Sequence, residues 1–191
     1  MKTKVKKRTW IALLNLLFLF TAVNAQPVRQ YLHEGWSFRQ ARGTNWYEAT
    51  VPGTVHTDLM DNKLIDDPFY RLNERGVQWV DKEDWIYRTT FDVTPELLAK
   101  KNIVLHFEGL DTYADVTLNG KKILSADNMF CEWQADVRSL LKEHGNELQV
   151  YLHSPVKIAM PKWEAVPFQY RSSNDQSENC LLYTSPSPRD A

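Results

Sequence analysis

Apolar residues recur at every second position along four stretches of the chain. Trp85, Tyr87, Thr89, Phe91 and Val93 share one face of a predicted strand, with Arg88, Thr90 and Asp92 on the other. Ile103, Leu105 and Phe107 alternate with Val104 and His106, and Ala114, Val116 and Leu118 with Asp115, Thr117 and Asn119. Leu148, Val150 and Leu152 alternate with Gln149, Tyr151 and His153. A period of two places successive side chains on opposite faces, so each stretch reads as a strand with one buried face. Asn119-Gly120 lies between two such runs and predicts a type I′ hairpin, whose two central residues need positive φ. Trp36 to Arg39 and Trp46 to Thr50 read as shorter strands.

Helical signals are few. Pro95 to Lys101 follows Thr94, an N-cap residue with proline at the first helical position. Asp136 to His144 carries Val137, Leu140 and Leu141 at helical spacing, with Gly145 as a stop, and predicts a helix. Val55 to Asn62 predicts one or two further turns. From Pro155 to Asn179 the alternation is lost, and this segment reads as a long excursion. Strands never alternate with long helices, which excludes a TIM barrel or a dinucleotide fold for this stretch. The expected fold is an all-β antiparallel sandwich with a few short helices.

The two ends alter the picture. Lys2, Lys4, Lys6, Lys7 and Arg8 precede an apolar run from Trp10 to Phe20, and Val23-Asn24-Ala25 closes it with small residues. That order predicts a signal peptide over residues 1–25, cleaved after Ala25, and therefore an exported, periplasmic or extracellular protein. A membrane anchor needs about 20 apolar residues, roughly twice what is present. Residues 180–191, beginning CLLYTSPSPRD, break from the preceding composition and resemble a sequencing adapter translated in frame. They are expected to be a non-native tail. Residues 26–179 are left as one domain, long enough for a real core.

Composition removes several functions and adds none. The net charge of −1 gives no electrostatic case for nucleic acid or a membrane surface. Aromatic residues make up 12%, including seven Trp, which suits both a sandwich core and carbohydrate handling. With Cys180 in the tail, Cys131 is expected to be unpaired. The five histidines show no ligand spacing, so no metal is expected, and no cofactor motif is present. Glu108, Asp111 and Asp115 follow one another along a strand–loop–strand run, yet their spacing marks no acid/base pair. They read as solvated carboxylates. No catalytic residue is expected in this chain.

Five stretches in order are more specific: VPGTVHTDLM (51–60), DPFYRLNE (67–74), DWIYRTTFDV (84–93), EGLDTYADVTLNGK (108–121) and NELQVYLHSP (146–155). Together they resemble the N-terminal sugar-binding-like domain of glycoside hydrolase family 2, and within it the β-mannosidases. The resemblance covers nearly all of residues 26–179. It implies a galactose-binding-domain-like jelly roll, here without its last strand or strands, followed in the parent protein by an immunoglobulin-like domain and a TIM barrel. The implied chemistry is removal of terminal β-mannose with retention, by two glutamates on that barrel. Neither glutamate, nor the family's Trp-Asp-Trp-Gly-Pro segment, is in this sequence.

The resemblance also implies that the loop before the Trp-x-Tyr-Arg strand, Asp67 to Asp84, reaches toward the barrel mouth. Asn73 or Glu74 is then expected to line the sugar pocket of the complete enzyme. Pro52-Gly53 reads as a tight turn, Arg88 as the partner of an acidic neighbour, and Trp36, Trp85 and Trp133 as core or interface aromatics. The implied partners are β-mannoside oligosaccharides and the parent's own following domains, with no nucleic acid and, after signal cleavage, no membrane. A free-standing carbohydrate-binding module, or another family 2 specificity such as β-galactosidase or exo-glucosaminidase, is the alternative. Lacking its closing strand, the isolated domain is expected to aggregate.

Overall fold

The protein was described in a computed structural model, which covers residues 27–165 and 167. By contacts the chain divides into Met1–Gln30 and Tyr31–Ala191. In the first unit the described residues 27–30 carry no regular element. The second holds the strands β1 (Ser37–Gln40), β2 (Tyr47–Glu48), β3 (Trp85–Phe91), β4 (Val104–Phe107), β5 (Ala114–Leu118), β6 (Lys121–Ala126), β7 (Trp133–Asp136) and β8 (Asn146–Leu152). Its helices are α1 (Val55–Asp61), α2 (Pro95–Leu98) and α3 (Pro155–Glu164), with 3-10 turns at Asn73–Gly76 and Val80–Lys82. The predicted leader and tail lie outside the described residues.

The strands form a six-stranded antiparallel sheet, in the order β2-β1-β3-β8-β5-β6, and a two-stranded sheet, β4-β7. Register turns the alternation of each strand into a continuous buried row. Phe38 stands opposite Tyr87, Tyr87 opposite Val150, Val150 opposite Val116, and Val116 opposite Leu124. Leu105 and Phe107 of β4, with Trp133 and Ala135 of β7, pack on the same core, so the architecture is the expected antiparallel sandwich. Phe38 is wholly buried, and its ring lies 5.5 Å from Tyr87 and 5.9 Å from Trp85. Trp36 and Trp85 are core residues, and Trp133 is a half-buried contributor.

Local signals fix the junctions. Asn119 and Gly120 take φ of 52° and 78°, as a type I′ turn requires. Thr54 caps α1 in a reciprocal capping box with Thr57, and Thr94 caps α2. At the Pro52-Gly53 turn, a Cβ on Gly53 would lie 2.3 Å from the Thr50 carbonyl oxygen, so only glycine fits without a shift of backbone.

Two sequence expectations fail here. Residues 136–144 form no helix: β7 runs through Asp136, a turn follows at 138–140, and Gly145 takes positive φ. The Val137 N–H pairs with Ile103 O at 3.0 Å, extending the strand pairing. The buried Asn146 amide meanwhile bonds both Lys142 N and Lys142 O, and Asn119 Nδ2 donates to Leu140 O. Side chains thus satisfy backbone groups that a helix would pair internally. Conversely, Pro155–Glu164, expected as irregular chain, is a helix. Ser154 caps it and Pro155 stands at its first turn, while Pro161 lies inside without ending it.

Candidate functional site

The segment from Asn62 to Asp84 hangs between two anchors. At its start Asn62 Nδ2 donates to Asp58 O at 2.8 Å and Glu48 O at 2.9 Å, and Leu64 N bonds Leu59 O at 2.8 Å. At its end Val77 and Val80 enter the core, and the Trp85 indole donates to Val80 O at 2.9 Å. Between the anchors lie several local turns. Asp67 Oδ1 accepts from Phe69 N at 2.9 Å in an Asx turn, and Asn73 Nδ2 donates to Asp67 O at 2.9 Å. Gln78 Nε2 donates to Glu74 O at 2.9 Å.

A shallow groove of about 290 Å³ opens on this segment, lined by Lys63, Leu64, Ile65, Asp66, Asn73, Gly76, Val77 and Trp79. Asn73 is half-buried and lines it; Glu74 is exposed and does not. Beside them Phe69, Tyr70 and Leu72 stand 60%, 56% and 63% exposed. Apolar side chains clustered on a surface in this way mark a contact site.

On α1, just before the segment, Asp58 is held above the ordinary carboxylate range. Burial pushes the Asp58 carboxyl up, and hydrogen bonds from Tyr87 and Thr50 only partly offset it. Both of its oxygens are engaged inside the domain: Oδ1 accepts from Thr50 N at 2.9 Å and Oδ2 from the Tyr87 hydroxyl at 2.6 Å. Burial and that carboxylate together push the Tyr87 hydroxyl up, and burial pulls His56 down. Asp58 therefore ties α1 to β3 and cannot also serve a substrate. Of the acids in the Glu108–Asp115 run, Asp115 is held by Lys122 Nζ and Ser125 Oγ, both at 2.7 Å, and by His153 at 3.2 Å. These bonds, Lys122 first, lower it to about 2. Glu108 and Asp111 are exposed. Among the described residues no group of three or more His, Cys, Asp or Glu could hold a metal ion, and no helix is long and apolar enough to cross a membrane. Cys131 is a free, exposed thiol.

A sandwich of this kind agrees with the comparisons. The model of the family described as glycosyl hydrolase 2 galactose-binding domain-like matches residues 36–184. The chain belongs to that family. A β-mannosidase B from Thermothelomyces thermophilus is 44% identical over 126 residues, 64% of this chain and 15% of the relative. One from Emericella nidulans is 42% identical over 118 residues, 60% of this chain and 14% of the relative. Among solved structures, the β-D-mannosidase from Dictyoglomus thermophilum superposes with a TM-score of 0.72 at 46% identity, over 75% of this chain and 18% of its own. The exo-chitosanase CsxA from Amycolatopsis orientalis, at 22% identity and a TM-score of 0.54 over 62% of this chain and 16% of its own, shares the fold alone. The chain spans about 15% of the length of the curated relatives it matches.

Within this galactose-binding-like domain, Asn73 and Glu74 stand on the 62–84 segment, and sequence reading missed the residues that hold it. Asp58 had a visible signal: with Val55, Leu59 and Asn62 it forms an i, i+3, i+4, i+7 stripe, so an acid stands on the buried side of α1. Asp84 and Ser154 had none, being 70 residues apart in sequence. Arg88 corrects an expectation. Among the described residues its guanidinium meets no carboxylate; it stacks 3.7 Å over the Trp46 ring and reaches Ser37 Oγ at 3.5 Å. The outward-facing Trp46 supplies a flat π surface, which suits a guanidinium as well as an ion pair does.

Proposed function

We propose that this chain is the non-catalytic N-terminal domain of an exported, exo-acting β-mannosidase that releases terminal β-D-mannose with retention. One observation carries the reading: a chain 46% identical to part of a β-D-mannosidase corresponds to 18% of that protein's length. Its own acids support the same division of labour. A retaining glycosidase sets two carboxyls about 5–5.5 Å apart across the scissile bond, one of them protonated. Asp58, an acid with raised pKa, is closed off by Tyr87 and Thr50. The reacting glutamates then belong to the parent's barrel, and the domain's share is to close the site. Asn73 lines the groove that the barrel completes, while Glu74, exposed beside it, is the second candidate for sugar contact. The leader over residues 1–25 directs the parent to the periplasm or beyond.

The test is the parent enzyme purified and assayed on p-nitrophenyl glycosides. Release from the β-mannoside, well above that from the β-galactoside, β-glucosaminide and β-glucuronide, is the expected result. Preference for another glycoside would replace the specificity. Mannose release by residues 26–179 alone would overturn the division of labour. Asn73→Ala and Glu74→Ala in the parent separate the two candidates, because a variant with unchanged kcat/KM does not touch the sugar.

A further inference from the structure

The exit of the Asp67–Asp84 loop is fastened to the far end of the domain. Asp84, half-buried at the junction with β3, accepts from Ser154 N at 2.7 Å through Oδ1. Its Oδ2 faces the Tyr151 hydroxyl at 3.3 Å and Lys157 Nζ at 3.4 Å. Ser154 is wholly buried; its hydroxyl donates to Asp81 O at 2.7 Å and accepts from Lys157 N at 3.1 Å. Lys157 also stands 3.9 Å from Glu83. Residues 81, 83 and 84 therefore all meet the end of β8 and the first turn of α3, about 70 residues further along the chain.

The loop's entry is tied by Asn62 to α1 and to Glu48 O, a neutral amide contact, and between the anchors Asp67, Phe69 and Asn73, and Glu74 and Gln78, join one another in local turns. Turn bonds of that kind fix local shape, and a clamp at the segment's end helps set its orientation. A carboxylate that gathers a backbone N–H, a hydroxyl and an ammonium resists displacement more than a neutral acceptor does. Burial alone would raise the Asp84 carboxyl; the Ser154 N–H, Lys157 and Tyr151 more than reverse it, so it stays ionised well below neutrality.

We propose that Asp84 is a positioning residue of the parent enzyme. Through Ser154 and Lys157 it locks the segment carrying Asn73 and Glu74 against α3, holding those side chains at a set distance from the sugar. This inference rests on the reading of the loop given above. It touches no substrate and acts only through the loop.

The experiment uses the parent enzyme with Asp84→Asn, which keeps an acceptor for Ser154 but loses the charge that draws Lys157. Asp92→Asn is the control, because it removes a carboxylate that accepts from Gly145 N and faces His144 at the opposite end of β3 from Asp84. In Asp84→Asn, KM for p-nitrophenyl β-mannoside is expected to rise roughly tenfold with kcat little changed, as small displacements of binding groups do. Amide exchange across residues 67–79 quickens while that of β3 and β8 holds. Asp92→Asn shifts neither. Lys157→Met, which leaves the Ser154 bond intact, gives the same direction more weakly and stands in if Asp84→Asn does not fold. Unchanged loop exchange in the soluble variant, or equal KM effects from Asp92→Asn, overturns the positioning role. Faster loop exchange with unchanged KM overturns it too, by removing the loop from the sugar site. An inactive wild-type parent that shows the same loop exchange would instead indict the β-mannosidase reading.

Discussion

The six-stranded sheet and the Asp67–Asp84 loop treat their apolar side chains in opposite ways. Across the sheet, Phe38, Val116, Leu118 and Leu148 are almost wholly buried, and every row is completed by residues of this chain. On the loop, Phe69, Tyr70 and Leu72 are held out into solvent by turns that are themselves well bonded. Burying apolar area is worth about 25 cal/mol per Å², so a chain that ordered those residues outward forgoes that gain within its own domain. The contrast separates what the domain needs to fold from what it presents to something else, and substitutions in the two regions should separate likewise.

The largest effect belongs to the sheet. Phe38→Ala removes a ring packed on Tyr47, Trp85 and Tyr87 and should destabilise the domain by about 3–5 kcal/mol in denaturant titration. Next comes the polar latch beside the sheet. The buried Asn146 accepts from Lys142 N and Asn119 Nδ2 and donates to Lys142 O and Phe91 O. Asn146→Ala orphans several of these groups and should cost about 2–3 kcal/mol. A loss under about 0.5 kcal/mol, the size of a neutral surface change, would show that water replaces the latch.

Acid titration tests the comparison through two aspartates of opposite sign. Asp58 has a folded pKa above its unfolded value near about 3.9, so folding takes up a proton there. Its contribution is most favourable below the unfolded value and is lost as pH rises through the folded one. Asp115, lowered to about 2, contributes above its unfolded value and loses that contribution as pH falls toward 2. Asp58→Asn should therefore steepen the loss of stability on acidification, and Asp115→Asn should flatten it, the latter weakly because a third of that side chain is exposed. Thermal melts between pH 7 and 2 read both slopes. Identical slopes in the two variants would remove the assignment.

Much of this architecture was legible in the sequence because strands with one buried face print their period directly. β3, β4, β5 and β8 emerge from alternation alone, and Asn119-Gly120 names its turn. What was hidden depends on partners distant in sequence. Asp136 to His144 carries helical spacing, yet Asn119 and Asn146 offer its backbone better partners. Ser154-Pro155 marks a helix start, but Pro161 disguised the rest of α3. Asn73 and Glu74 are expectations from the loop's motif, whereas the clamp at Asp84 required the register of β3 on β8 to bring Tyr151 beside it.

The smallest effect on folding is the most telling for the loop. Phe69→Ser, Tyr70→Ser and Leu72→Ser each remove a side chain that is mostly in water already, so each should change the stability of the isolated domain by no more than about 0.5 kcal/mol. Their combination should make that domain more soluble, since the apolar patch is dispersed. In the parent enzyme the same three changes should instead lower the melting temperature and loosen the loop to protease, because there the side chains meet the remainder of the chain. If the triple variant melts with the wild-type parent and resists protease equally, the patch faces solvent in the complete protein, and the contrast between sheet and loop reflects nothing beyond local turn geometry.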